Sequence, residues 1–225
     1  SGMSIPDVLE AESYYAIVAL SARQIMGAYV LTVPPNLRYS NSSSITQSEP
    51  LMFQKEISSN GNMNTVDVIF PALPFYLYAN PDMLKFVLNP LFYHQENGFY
   101  PNGYSMHDLG THFPNATGHV EGNDEYMPVE ESGNMLLMAY AYFKFTQHYP
   151  KYRQWATYVI EYSLVPEAQL STDDFAGTLA NQTNLAIKGI VGLKAMSFIA
   201  EAVGDLRAAA NYSDIASSYF AQWEQ

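Results

Sequence analysis

No cysteine occurs anywhere in the 225 residues, which excludes a disulfide framework, a thiolate zinc site and a cysteine nucleophile. Positive charge is scarce, with 10 Lys+Arg against 22 Asp+Glu and a formal net charge of −12. A chain of that sign lacks the basic footprint that phosphate contacts require, so nucleic acid is not an expected partner. No apolar run approaches the ~18 residues of a membrane span, so no membrane partner is expected either. Charge of any sign is sparse, at 14 %, well below the usual quarter. Aromatic residues are abundant, with 18 Tyr and 12 Phe, which excludes a disordered chain. The length suffices for a sizeable core. N-x-S/T occurs at Asn41, Asn115, Asn181 and Asn211, the acceptor pattern for N-glycosylation. With the low lysine content, these sites predict a secreted glycoprotein.

Helical periodicity dominates what is present. Pro6, Asp7 and Glu10 open a segment in which Leu9, Tyr14, Ile17, Val18, Ile25 and Met26 recur at helical spacing, predicting a helix over 5–30 that Pro34-Pro35 stops. Further helices are expected over 64–79, with Pro71 and Pro74 kinking or dividing it, and over 81–97, 128–147, 152–164, 183–203 and 205–223. Tight turns join them into hairpins, and no convincing strand ladder appears. The helices over 64–79, 128–147 and 183–203 each follow a long polar loop and are apolar nearly all round, as in 135–142. A helix hydrophobic on every side is buried on every side, so these three are expected as inner helices. The fold class is therefore all-α, with successive helical hairpins forming a solenoid or a closed α/α barrel. No repeat links the hairpin sequences, which disfavours the solenoid.

In the barrel the three long loops share one end and carry the unusual residues. Between Lys85 and Lys144 there is no positive side chain, yet seven carboxylates and four of the five histidines. Uncompensated acids raise one another's pKa values, which is how a general acid is made. The competing reading is that Glu130 and Glu131 sit in a first helical turn, where acids are favourable in any case. His107, His112 and His119 invite a metal, but spacings of five and seven fit no helical ligand pair. No metal or cofactor is assigned, calcium on oxygen ligands staying open. Phosphate-binding glycine loops and G-x-S-x-G are absent, and no pattern singles out Ser58, Ser59, Ser105 or Thr111 as a nucleophile. The residues alone point to a carboxylate-based hydrolase of unnamed substrate.

The runs 53–62, 107–118, 124–135 and 170–177 resemble the glutaminase A family, over about 5–209. Members are large, mostly fungal and bacterial, often extracellular, and are assigned to hydrolysis of L-glutamine to glutamate and ammonia. The resemblance implies a six-hairpin α/α barrel, a β-rich region before it and more helices after. Members usually carry Cys where this chain has Ser132, so that position is not expected to be catalytic. Glutamine hydrolysis needs a base, an acid for the departing ammonia and oxyanion stabilisation. Loop position and side-chain type nominate Asp108, Glu125, Glu130 and Asp174 as catalytic acids. The substrate-binding set is Lys55, Asn60, His107, Asp124, Asn134, Asn181 and Lys188, with the lysines for the α-carboxylate and the asparagines for the oxyanion. At least two of the four acids should lie within about 10 Å of each other, and at least one should be buried with a raised pKa.

Two rival readings differ in class. An inverting glycosidase on the same barrel would line its cleft with Tyr100, Tyr104, Phe113, Tyr126 and Phe175. A catalytically silent interaction module or fragment is the other. Six hairpins need twelve helices and about seven are read here, so residues 1–225 are expected to form part of a single barrel domain, incomplete in this chain. The remainder of the same polypeptide or a second chain would complete it, alongside a small-molecule substrate as partner.

Overall fold

A computed structural model describes residues 5–33, 49–56, 60–148 and 154–225, without the side chains of 5–7, 154 and 174. Eight helices are present among them: α1 (Ile5–Gly27), α2 (Val66–Ile69), α3 (Leu73–Ala79), α4 (Pro81–Glu96), α5 (Pro128–Thr146), α6 (Gln154–Tyr162), α7 (Thr183–Ala202) and α8 (Leu206–Trp223). The expected division of 64–79 occurs where the prolines stand. Pro71 lies in a 3₁₀ turn over Phe70–Ala72, and Pro74 in the first turn of α3, where its missing N–H costs nothing. The Asn80 side chain caps α4 through the Asp82 N–H at 3.0 Å, and Asp205 caps α8 through Ala208 at 3.0 Å, each satisfying an orphan donor.

Consecutive helices pack in pairs, α3 on α4, α5 on α6 and α7 on α8, so the all-α hairpin architecture is the one observed. The pairs join through α5, which packs on α4, α6 and α7. Small residues set the α5–α7 approach. A Cβ on Gly133 of α5 would lie 2.6 Å from the Lys188 side chain of α7, and one on Gly192 of α7 3.8 Å from the Gly133 Cα. The core along this seam includes Leu136, Met138, Leu193 and Met196.

Three expectations need correction. Short antiparallel ladders do exist: β1 (Tyr29–Thr32) on β2 (Leu51–Gln54), and β3 (Gln169–Leu170) on β4 (Thr178–Leu179). The apolar run around Tyr29-Val30-Leu31 continues the helical pattern of α1 in sequence, and a run that short does not distinguish helix from strand. Consequently α1 stops at Gly27 and not at residue 30. Nor are α7 and the stretch over 64–79 buried all round; in the latter Tyr78 is 92 % exposed. In α7, Ile187, Val191 and Phe198 are each at least 40 % exposed, on the face left by α5, α6 and α8. Of the inner-helix residues, Met135 and Leu193 are fully buried and Ile190 nearly so, while Leu137 is half-buried. No described helix is long and apolar enough to cross a membrane.

Candidate active site

The site is made where the long loop over 98–127 folds onto the segment preceding α2. Met106 and Leu109 anchor the loop in the core. Its backbone then pairs with that segment: Val66 donates to the His107 carbonyl at 2.9 Å, Leu109 to Met63 at 2.7 Å, and Met63 to Gly110 at 3.0 Å. Gly110 sits at φ +89°, and a Cβ there would fall 2.8 Å from the Thr117 hydroxyl, so the turn requires glycine. These bonds set Asp67, at the start of α2, beside His107. The first turn of α5 supplies Glu130 and Glu131 from below, because α2 packs on α5.

His107 is the centre of the arrangement. Its Nδ1 is 2.7 Å from Asp108 Oδ2, and its Nε2 is 3.7 Å from Asp67 Oδ1 and 3.5 Å from Glu125 Oε2. Asp108 is buried and fully engaged: His119 Nε2 meets its other oxygen at 2.8 Å, and the Gly110 N–H donates to that same oxygen. Burial works to raise the Asp108 pKa, but the bonds from His107 and His119 outweigh it and hold the carboxyl well below the usual range. Burial likewise opposes charge on His107. The bond to Asp108 and the charges of Glu131, Asp108 and Asp67 prevail and push its pKa up to about 10. Two carboxyls move the other way. Burial, reinforced by Asp67, drives Glu131 well above its ordinary value, and burial raises Asp67 against the pull of His107.

A cavity of about 260 Å³ opens over this cluster, lined by Glu56, Asn60, Thr65, Asp67, Val68, His107, Glu125, Met127 and Leu170. Asn60 donates to Glu125 at 3.1 Å and the Thr65 hydroxyl to Glu56 at 2.8 Å. Of the nominated residues, Glu125, Asn60 and His107 therefore meet at one wall. Asp108 and Glu125 flank opposite nitrogens of the one imidazole.

The others fall elsewhere. Glu130 is paired with Lys188, whose ammonium also lies over the Phe70 ring. Asn134 donates to Glu130 and Glu131 from inside α5. Asp124 accepts from the Tyr100 hydroxyl and the His107 N–H, a scaffold role. Lys55 stands over the Phe113 ring, and Asn181 is exposed in a left-handed turn outside the cavity lining. Neither lysine is placed against the cavity, so the expected clasp for an α-carboxylate is not formed by them. The side chain of Asp174, like Asn41, lies outside the described residues; Asn115 and Asn211 are exposed. Ser132 accepts from the Ser105 N–H at 3.0 Å and is fully buried.

The two carboxyls with raised pKa values, Asp67 and Glu131, were not among the four nominated acids. The sequence signal for Asp67 is slight, an acid in a first helical turn. Glu131 was visible but carried the same ordinary explanation.

Fold and site together define a protein built of helical hairpins with a carboxylate–histidine centre at the loop end. Residues 11–225 match the glutaminase A six helical-hairpin domain, and the chain belongs to that family. It is 52 % identical to glutaminase A of Aspergillus oryzae over 220 residues, and 41 % identical to a probable glutaminase of Arthroderma benhamiae. Each alignment covers 95 % of this chain but only 30 % and 31 % of the relative. The chain thus spans about a third of the length of the curated relatives it matches.

Proposed function

We propose that the cavity hydrolyses the side-chain amide of L-glutamine, giving glutamate and ammonia. The observation that carries this reading is the lining: three carboxylates and a histidine, with no aromatic side chain among the described residues. A volume below the ~300–1,000 Å³ of drug-sized pockets suits a small metabolite, and an excess of acids suits one bearing an ammonium group. The relatives' names point to the same substrate. Glu56 is placed to receive the α-ammonium, and Asp67 with His107 to hold a water beside the amide carbon. Glu125 reaches the same point across His107 Nε2. It takes a proton from the water as the C–O bond forms, then returns it to the nitrogen as the C–N bond breaks and ammonia leaves.

The sugar-cleaving alternative needs an aromatic platform. Tyr100, Tyr104, Phe113, Tyr126 and Phe175 do not line this cavity. Tyr100, Tyr104 and Tyr126 pack against one another instead. Exposed Asn115, Asn181 and Asn211 keep the reading of an extracellular glycoprotein. The test is an assay of the purified chain. Equal amounts of ammonia and glutamate should appear from L-glutamine, and no product from a panel of aryl glycosides. Glycoside cleavage without ammonia release would reverse the assignment.

A further inference from the structure

The acids around His107 present unsatisfied oxygens as well as crowded charge. Glu131 has no exposed surface, and among the described residues its Oε1 has no hydrogen-bond partner; the buried Oδ1 of Asp67 has none among them either. One ligand atom from each of Asp67, His107 and Glu131 falls within 4.8 Å of the other two. We propose that these three side chains bind a divalent first-row transition-metal cation, of the zinc or manganese type, at the floor of the cavity.

Four features support the site. His107 offers its Nε2 to the two carboxylates because its Nδ1 is held by Asp108 at 2.7 Å. A carboxylate behind the far nitrogen is the usual support of a metal-bound imidazole, fixing both tautomer and ring orientation. Asp108 is itself fixed by His119 and Gly110, so the supporting layer is rigid. Asn134 holds the second oxygen of Glu131 at 3.2 Å, leaving the unpartnered one for the cation. The nearby lysine, Lys188, is paired with Glu130, so it is not the counter-ion of this group.

The donor set selects the metal. One imidazole nitrogen with two carboxylate oxygens suits zinc or manganese, whereas calcium and magnesium favour oxygen-only cages. Bonds of about 2.0–2.2 Å set tetrahedral ligands roughly 3.4 Å apart. The 3.7 Å between His107 Nε2 and Asp67 Oδ1 closes with a shift of a few tenths of an ångström. Three protein ligands leave a fourth position facing the cavity, the pattern of catalytic centres. A cation there would lower the pKa of a bound water, whose proton Glu125 would take as the water oxygen attacks the amide carbon. The C–N bond then breaks, and Glu125 returns the proton to the departing nitrogen. This catalytic role rests on the amide-hydrolase reading; the binding of the metal does not.

The experiment uses the purified chain stripped with a chelator and titrated with Zn²⁺, Mn²⁺, Mg²⁺ and Ca²⁺, followed by calorimetry, thermal unfolding and anomalous diffraction. One equivalent of Zn²⁺ or Mn²⁺ should bind and raise the unfolding temperature, with the anomalous peak between Asp67, His107 and Glu131. Asp108→Asn, which touches no metal, should weaken binding about 10–100-fold, and Glu131→Gln by more. Because Asp108 and Glu131 are both buried and either variant risks misfolding, the peak position in the unaltered chain decides independently. No transition-metal binding at millimolar concentration, a peak at surface histidines, or occupancy by calcium or magnesium alone would overturn the proposal. Equal glutamine cleavage by stripped and loaded protein would overturn the catalytic role. A loaded site without glutamine cleavage would uphold the metal and count against the substrate.

Discussion

Glu125→Gln should lower kcat on L-glutamine by about 10²–10⁴-fold, the usual weight of a positioned acid–base group, while leaving the unfolding midpoint nearly unchanged. The two halves of this expectation have separate causes. Glu125 bonds to Asn60 and approaches His107 Nε2, yet its side chain is 42 % exposed. An exposed carboxylate contributes little to folding, since solvent screens its pairings. Glutamine keeps the size and the acceptor oxygen for Asn60 but carries no transferable proton. KM should change little, because the substrate's ammonium is assigned to Glu56. A variant that loses stability in step with activity would show Glu125 to be scaffold. One that keeps full kcat would remove it from the mechanism.

Asp108→Asn should have the opposite profile, a loss of about 3–5 kcal/mol of stability, the cost of removing one partner from a buried charge pair. Three donors converge on the two Asp108 oxygens: His107 Nδ1, His119 Nε2 and the Gly110 N–H. An amide supplies only one oxygen, so its NH₂ group must face a donor. The loop over 98–127 has no helix to hold it, and this knot fixes it together with the backbone bonds to 63–66. Urea unfolding of the variant measures the effect. A change below about 1 kcal/mol, the range of a surface pair, would mean that the backbone pairing alone holds the loop.

The helices were legible from periodicity because their apolar stripes are long. The strands were not, since Tyr29–Thr32 reads as the end of a helix until residues 51–54 are seen beside it. Legibility of the site followed the same division. His107 and Glu125 stood out because a stretch dense in Asn, His and acids without positive charge is unusual, and Asn60 by its place in another Asn-rich loop. Asp67 did not, because an acid at a helix start has an ordinary electrostatic explanation, and only the bond from Val66 to the His107 carbonyl reveals what it faces. Lys188 looked like a substrate-binding cation, but its pairing with Glu130 crosses 58 residues and leaves no trace in sequence.

On the proposed reading, one acid-lined cavity receives glutamine with its amide at His107. A crystal of the Glu125→Gln variant soaked with L-glutamine tests it most directly. Density should show the amino acid in the cavity, its ammonium at Glu56 and its side-chain carbonyl carbon facing His107 Nε2. An empty cavity at saturating glutamine, or the ligand seated elsewhere on the molecule, would rule that reading out.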